Sequence, residues 1–330
     1  MNLVRWVGLT GLFGWLVCGC GGGGHTGGLV VQNGPVDDGG GASSPDPVGP
    51  GVVTRDWDAS ASHPGIAYSV TLTMTEFTVP AGTEAWKCQD FGDPFGGQPV
   101  DIKGWDSTMT AGSHHLTLYN QPGATDGPLS DCPDGVTAPT YAFGAQSEKT
   151  TFAFPDTVGE HIPAGLGYTM NSHYVNATAA AIHTNVSVTA FVAAPGVVTQ
   201  YAGAFEGVLL SIAVPPGRPS VVVGGSCTLP QDLNVIAVSG HMHHRGSNFN
   251  LTSGGTSLLQ TDEIAAAPSV VSPPLLLKAG ADISWSCTYT NPTSNLLTYG
   301  NSAWANVMCN TILVFYPIQD TNNGLLDCTL

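Results

Sequence analysis

The chain has 330 residues, of which 24 are Asp or Glu and only 8 are Lys or Arg, so its formal charge at neutral pH is −16. So few basic side chains on so acidic a chain cannot neutralise a run of phosphates, which excludes nucleic acid as a partner. The 43 glycines, 24 prolines and a charged fraction of only 10% leave little material for long solvent-facing helices, so short strands joined by turns are expected.

The first residues have the pattern of an export signal. Arg5 precedes an apolar run over 6–17, and a small residue, Gly19, stands directly before Cys20. This order is typical of a bacterial lipoprotein signal, and the run is too short to span a membrane comfortably. We predict a signal peptide over 1–19 and lipidation of Cys20. The protein is then exported and anchored at the periplasmic or cell-surface side of a bacterial membrane; a plain signal peptide is the alternative.

The next segment, 20–60, is dominated by Gly, Ser, Pro and Asp and has almost no large apolar side chains. Such a segment cannot bury enough surface to offset the entropy lost on ordering. We interpret it as a flexible tether with a root-mean-square reach of about 35 Å, which would hold the folded part clear of the membrane. The tether and the acidic surface favour a monomer.

The rest of the chain is expected to be all-β, in two sandwich domains over 61–195 and 196–330. The length fits about two domains, and Ala193-Ala194-Pro195-Gly196 is the most natural boundary. Strands are predicted where β-branched and aromatic residues recur between turn signals. The predicted strands are 68–74, 182–192, 208–214, 221–223, 234–238, 283–287 and 307–316.

Two groups of histidines in the first predicted domain are candidate metal ligands. His114 and His115 are adjacent, and His173 follows in NSHYVN. Neighbours on a regular strand point to opposite faces, so His114 and His115 could bind one metal only at a bulge or a strand end. Three imidazoles suit copper or zinc, and the ligand set does not choose between them.

A third group, in SGHMHHRG, lies in the second predicted domain. His241 and His243 are spaced i, i+2, so on a strand they project from one face as a pair of ligands. His244 points the other way and is expected to support or pack. Met308, in WANVMCN, shares a strand face with Asn310 and Ile312. A methionine there is more often core than ligand, but a thioether beside two imidazoles would favour copper, because soft sulfur stabilises Cu(I).

Six cysteines remain after Cys18 and Cys20: Cys88, Cys132, Cys227, Cys287, Cys309 and Cys328. An even number behind an export signal indicates disulfides, whose pairing the sequence alone leaves open.

Taken together, the stretches HHLTLY, SHYVN, HMHH, VMCN and TILVFYP resemble, in this order, the copper type II, ascorbate-dependent monooxygenases. This family is typified by peptidylglycine α-hydroxylating monooxygenase and dopamine β-monooxygenase. The resemblance covers about residues 65–330. It implies two jelly-roll-like β-sandwiches that face each other across a solvent-filled cleft, with disulfides Cys88–Cys132, Cys227–Cys328 and Cys287–Cys309.

The resemblance also implies a role for each ligand. His114, His115 and His173 would hold an electron-transfer copper in the first domain. His241, His243 and Met308 would hold the catalytic copper in the second. The implied activity is hydroxylation of a C–H bond with O₂, with electrons from ascorbate or another one-electron reductant.

The expected substrate pocket departs from that of the peptidylglycine enzymes. Ser239 stands where those enzymes have a carboxylate-binding Arg, and Ile312 stands where they have a Tyr, while Asn310 is retained in kind. Loss of the Arg removes a bidentate carboxylate clamp, so a glycine-extended peptide is disfavoured and a neutral or apolar small molecule is preferred. Arg245 is left without an assigned role. A non-catalytic copper-binding surface lipoprotein and a purely structural β-sandwich lipoprotein remain as alternatives.

Overall fold

The strands follow an alternation of buried and partly exposed side chains that a two-layer β protein requires. The computed structural model describes residues 49–59, 63–132, 140–264, 266–318 and 324–330. In these residues the regular elements are β-strands, and no helix has the length and apolar character needed to cross a bilayer. The signal peptide, the lipidation site Cys20 and the tether up to residue 48 lie outside the described residues.

The first half of the described chain forms fourteen strands. They are β1 Val52–Asp56, β2 Ile66–Thr73, β3 Thr78–Val79, β4 Glu84–Phe91, β5 Val100–Met109, β6 Ser113–Pro122, β7 Ser130–Asp131, β8 Thr140–Ala145, β9 Lys149–Ala153, β10 Val158–Ile162, β11 Leu166–Val175, β12 Ile182–His183, β13 Val186–Ala193 and β14 Gln200–Tyr201. One sheet has the order β1-β2-β13-β5-β10-β14 with β9 also paired to β5, and the other has the order β7-β4-β11-β6-β8. Side chains from both sheets, such as Leu72, Trp105 and Leu118, form the first core.

The second half forms eleven strands among the described residues. They are β15 Gly203–Val208, β16 Ala213–Val214, β17 Arg218–Thr228, β18 Leu233–Met242, β19 Gly246–Ser253, β20 Thr256–Thr261, β21 Ser269–Leu277, β22 Asp282–Asn291, β23 Leu297–Thr298, β24 Cys309–Tyr316 and β25 Leu325–Thr329. The sheets β21-β18-β24-β15-β25 and β17-β22-β19-β20 enclose a second core that includes Phe205, Trp285 and Leu313. In each half two mainly antiparallel sheets enclose one core, and the chain crosses between them several times, so the protein is all-β with jelly-roll-like sandwiches.

The two halves are in direct contact. Ile236 and Ala237 of β18 belong to the first core, and Val314 and Tyr316 of β24 pack against it. Residues Pro47–Leu330 form one compact unit, whereas the unit Met1–Asp46 lies outside the described residues. The face of the sheet β21-β18-β24-β15-β25 that points away from the second core therefore packs against the first half.

Some strand boundaries differ from the sequence prediction. Strand β1 lies inside the predicted tether, because Val52–Asp56 pairs with β2 and forms the edge of that sheet. The predicted strand 182–192 is broken after β12, where the Thr184 hydroxyl bonds to the backbone of Phe77. The predicted strand 208–214 divides into β15 and β16, because the chain turns away to donate from Leu210 to the terminal carbonyl of Leu330.

Candidate metal centre

A β-bulge turns two adjacent histidines of the first half toward one place. Strand β6 pairs with β11 so that Tyr174 lies opposite Ser113 and His173 lies opposite His115, which leaves His114 as the extra residue. Adjacent side chains can share a face only at such an irregularity. The bulge meets the condition stated above for neighbouring ligands.

The second half contributes its histidines from the end of one strand. His241 is the penultimate residue of β18, and His243 follows one residue after the strand ends. Met242, between them, is buried in the second core, so the two histidines project from the opposite face. A turn then begins, because the N–H of Gly246 donates to the carbonyl of His243 at 2.8 Å.

The histidines of both halves meet in one group, which we call the histidine cluster: His114, His115, His173, His241 and His243. The ring centroid of His114 lies 5.1, 5.0, 5.2 and 5.3 Å from those of His115, His173, His241 and His243, respectively. His114 belongs to two groups of three whose ligand atoms all lie within 4.8 Å of one another: His114 with His241 and His243, and His114 with His115 and His173.

Among the described residues, no solvent-filled cleft of the expected kind separates the two ligand sets. The rings of His115 and His241, from different halves, are only 5.5 Å apart. The sheets that carry them pack against each other through apolar contacts. Ala237, which lies four residues before His241 on the same face of β18, is part of the first core. The two sets therefore form a shared centre at the contact between the halves.

The cluster presents nitrogen atoms that no group among the described residues satisfies. Four imidazole nitrogens are buried and have no hydrogen-bond partner in the described structure: His114 Nε2, His115 Nδ1, His173 Nδ1 and His243 Nε2. Leaving one buried polar atom unpaired costs about 1–3 kcal/mol, so four in one place indicate a ligand that satisfies them. Imidazole nitrogens are donors for copper, zinc, iron and nickel, so the donor set fits a transition metal.

Electrostatics favour the neutral form of four of these imidazoles, those of His114, His115, His241 and His243. Burial, and then the charge of neighbouring imidazoles, lowers the pKa of His241 to about 3. Burial likewise lowers the pKa of His243 to about 4, against the carbonyl of Asn306, which raises it. The pKa values of His114 and His115 also lie well below the ordinary range for the same reasons. A neutral imidazole has the free lone pair that a metal needs.

The outward-facing nitrogens of three members are held by acceptors. His241 Nδ1 donates to Gln146 Oε1 at 2.6 Å, and His243 Nδ1 donates to the carbonyl of Asn306 at 3.2 Å. His173 Nε2 donates to Glu84 Oε1 at 2.9 Å. Such partners fix the ring orientation and the tautomer, so that the other nitrogen is left for a metal.

Two of these acceptors connect the halves. Gln146, from the first half, also donates through Nε2 to the carbonyl of Gly240 at 3.0 Å. Glu84 accepts from the Ser302 hydroxyl at 2.9 Å and from the Ala303 N–H at 2.7 Å. Sequence reasoning missed Gln146 and Glu84, because neither lies in a motif and their partners are more than 80 residues away.

The segment 302–306, which we call the site loop, continues this arrangement. His244 Nδ1 donates to the carbonyl of Ala303, and Arg245 donates to that of Trp304. The ring of Trp304 also packs edge-on against His244, with centroids 4.8 Å apart. His244 and Arg245 therefore both contact the site loop.

Met308 lies directly before β24, the strand that pairs with β18 and places Asn310 opposite His241. His241 is opposite Asn310 and Met242 is opposite Cys309, so the register runs on toward His243 and Met308. The Tyr289 hydroxyl donates to the carbonyl of Met308 and accepts from the N–H of His243, which brings these two backbones together. Met308 is partly exposed rather than sealed in the core, and its Sδ lies 4.0 Å from Asn310 Nδ2.

The three expected substrate residues share the face that carries His241. Ser239 lies opposite Ile312, and Asn310 lies opposite His241. The amide oxygen of Asn310 is buried without a hydrogen-bond partner in the described structure. The sequence-predicted residues are therefore adjacent to the cluster.

The six cysteines form three disulfides, in the pairs that the resemblance implied: Cys88–Cys132, Cys227–Cys328 and Cys287–Cys309.

Comparisons with known proteins do not assign the chain to a family. No protein-family model matches the chain, and no curated protein matches it. Among solved structures, one titled "The Triple Jelly Roll Fold and Turret Assembly in an Archaeal Virus" has a TM-score of 0.20 at 12% identity, covering 84% of this chain and 61% of that chain. An anti-sigma factor domain-containing protein has a TM-score of 0.16 at 12% identity, covering 78% of this chain and 88% of its own.

Proposed function

We propose that the protein is a copper-dependent monooxygenase that hydroxylates a C–H bond of a small organic substrate, using O₂ and ascorbate or another one-electron reductant. The observation that carries the proposal is the histidine cluster: five imidazoles with four unpartnered buried nitrogens, three of the rings held from outside by Gln146, Asn306 and Glu84.

Copper is the metal that best suits a combination of imidazole and thioether ligands. Imidazoles alone suit zinc equally well, but the thioether of Met308, whose backbone is linked to that of His243 through the Tyr289 hydroxyl, would favour a metal with an accessible soft state. Five imidazoles and one thioether suffice for two ions with open positions, which a catalytic site requires. The matching disulfide pairs add to the resemblance on which this reading began.

The reaction balances with an external reductant. Copper, when bound, supplies one-electron redox chemistry and a site for O₂. One C–H bond breaks and one C–O bond forms, while two electrons and two protons convert the second oxygen atom to water. The chain's own part is to hold His241 through Gln146 and His243 through Asn306, and to offer Asn310 and Ser239 to the substrate.

The proposal extends to the protein's location. The predicted lipid anchor at Cys20 and tether would leave the enzyme outside the cytoplasm, where disulfides persist. Copper and a diffusible reductant would reach it from that compartment.

The test uses the mature chain loaded with copper. We expect two copper ions per chain, and ascorbate-dependent O₂ consumption coupled to hydroxylated product when candidate small molecules are screened. Copper binding without any coupled product would favour the non-catalytic copper-binding lipoprotein. Absence of copper binding would eliminate both.

A substitution of Met308 tests the proposed role of its sulfur most directly. Met308→Leu preserves volume and apolar character but removes the sulfur, so it should abolish turnover while copper still binds His114, His115 and His173. Met170→Leu, a buried methionine of the first core, is the matched control and should retain activity. Normal hydroxylation by Met308→Leu would remove Met308 from the site.

A further inference from the structure

One carboxylate of the first half, that of Glu84, contacts both a candidate ligand of its own half and the site loop of the other half. On β4, Glu84 stands two residues before Trp86, and Trp86 lies opposite His173 of β11. Side chains two residues apart on a strand share a face, so Glu84 is the diagonal neighbour of His173, within reach of a long side chain. Trp86 stacks on the His173 ring with the centroids 4.5 Å apart, so the ring presents its edge to Glu84.

This carboxylate fixes the His173 ring in one tautomer. Glu84 Oε1 accepts from His173 Nε2 at 2.9 Å, and an ionised carboxylate has no proton to give, so the imidazole carries its proton on Nε2. The side chain of His173 is 0% exposed and that of Glu84 is 11% exposed, so water competes little for the contact. The other ring nitrogen, Nδ1, has no partner in the described structure and is left with a free lone pair.

The same carboxylate holds the beginning of the site loop. Glu84 Oε1 also accepts from the N–H of Ala303 at 2.7 Å, and Oε2 accepts from the Ser302 hydroxyl at 2.9 Å. Within the loop, the Ser302 carbonyl accepts from the N–H of Asn306 at 2.9 Å, and the Ser302 hydroxyl oxygen accepts from the N–H of Ala305 at 3.2 Å. Glu84 thus holds Ser302, and Ser302 holds the turn that ends at Asn306.

The turn places a carbonyl against a candidate ligand of the second half. His243 Nδ1 donates to the carbonyl of Asn306 at 3.2 Å, and a carbonyl has no proton to give, so the ring carries its proton on Nδ1. The His243 ring makes no other hydrogen bond among the described residues, and its Nε2 is left with a free lone pair. The tautomer of His243 therefore depends on where the site loop holds the Asn306 carbonyl.

We propose that Glu84 is a positioning residue for both ligand sets: it sets the tautomer of His173 directly and that of His243 through the site loop. Among the described residues no other carboxylate bonds to the histidine cluster, whereas His241 is held by the neutral side chain of Gln146. Glu84 and the site loop belong to different halves, so the two free lone pairs are set together only when the halves are in contact. The tautomers are a property of the metal-free protein; only their use for copper rests on the proposed function.

The test reads the histidine tautomers of the metal-free mature chain at neutral pH. Two-bond proton–nitrogen correlation spectra of protein with isotope-labelled histidine show which ring nitrogen carries the proton, and single histidine substitutions assign the signals. We expect the proton on Nε2 in His173 and on Nδ1 in His241 and His243. Glu84→Ala should mix the tautomers of His173 and His243, while His241 keeps its own because Gln146 still holds it. Glu76→Ala, which removes an exposed carboxylate of the same half, is the control and should change none of them.

Two further variants separate positioning from a general loss of structure. Ser302→Ala leaves the contact between Glu84 and His173 intact, so it should change the tautomer balance of His243 alone, by less than Glu84→Ala does. It remains informative if Glu84→Ala fails to fold as judged by near-ultraviolet circular dichroism. Glu84→Gln keeps an acceptor oxygen for His173 and a donor for the Ser302 hydroxyl, so it should restore both tautomers.

Three results would overturn the proposal. They are a wild-type His173 with its proton on Nδ1, an unchanged His243 in folded Glu84→Ala, and a change at His241 as large as that at His243. Because these spectra are recorded without copper, reductant or substrate, their outcome is separate from that of the oxygenase assay.

Discussion

The two halves orient their histidines by different means. In the first half, His115 and His173 face each other across paired strands, and the bulge at His114 completes the set. In the second half, His241 and His243 lie at a strand end and are held by Gln146 from the other half and by Asn306 of the site loop. Backbone register orients the first set, whereas side-chain and loop contacts orient the second.

This difference has a consequence for stability and function. Register in a sheet is fixed by many backbone hydrogen bonds and by the burial of one face, so it resists single substitutions. A ring held by one acceptor loses its orientation when that acceptor is removed. The first set should therefore tolerate changes around it better than the second, and each prediction below probes that asymmetry.

The largest effect should come from His114, which belongs to both candidate triads. His114→Ala should weaken copper binding about 1,000-fold or more, beyond the ~10–100-fold typical of losing an outer partner. Competition titration of the metal-free protein against a copper chelator measures the change. His183→Ala, an exposed histidine on β12, is the control. If the two variants bind copper equally well, the cluster is not a copper site.

The next largest effect should come from removing disulfides, which should affect the two halves differently. Cys287→Ser with Cys309→Ser removes a bridge of sequence separation 22 that ends beside Met308, and it should lower the free energy of unfolding by about 3 kcal/mol. Urea denaturation of the metal-free protein measures this cost. The matched pair, Cys88→Ser with Cys132→Ser, should cost a similar amount. We expect only the first pair of changes to weaken copper binding at His241 and His243; equal weakening by both pairs would contradict the asymmetry.

The sequence predicted those parts of the fold that depend on local pattern. Alternating burial made β13 and β24 recognisable, and the i, i+2 spacing correctly indicated that His241 and His243 share a face. Strand β1 falls within the predicted tether, because its formation depends on pairing with β2 rather than on its own composition. The spacing of residues along one strand indicates which way their side chains point. It does not indicate how far apart strands of different sheets lie.

For that reason the arrangement of the site escaped prediction. Nothing in the order of the histidines indicates that His115 and His241 come within 5.5 Å, since this depends on how two sandwiches pack. The outer acceptors Gln146 and Glu84 are equally invisible, because their residue types are common and their partners are remote. Glu206 is a further example, because it enters the sheet face of Ser239 and Ile312 from β15, which no motif in the sequence indicates.

The pH dependence of stability should reveal Glu206 of β15, whose carboxylate makes no ion pair or hydrogen bond that the described residues show. Because the pKa of Glu206 is raised to about 7 in the folded protein, the folded state retains a proton that the unfolded state loses. The unfolding free energy should therefore fall as pH rises from about 4.5 to about 7, and Glu206→Gln should remove about 2–3 kcal/mol of that fall. Urea denaturation at pH 5 and pH 8 measures it. Glu160, whose pKa is also about 7, stays in both proteins and cancels. Identical pH profiles would mean that Glu206 is solvated or paired.

The smallest and most selective effect should come from Gln146, which orients His241 across the contact between the halves. Gln146→Ala removes the acceptor of the Nδ1 proton, so the ring can turn or change tautomer, and copper affinity at the second set should fall about 10–100-fold. Gln146→Glu keeps an acceptor oxygen and should restore most of the affinity, and Gln200→Ala, an exposed glutamine, is the control. Electron paramagnetic resonance of the copper-loaded protein distinguishes the sets: the signal from His241 and His243 should change while the one from His115 and His173 stays. A change in both signals would mean that the two ions share His114 so closely that neither set is orientated independently.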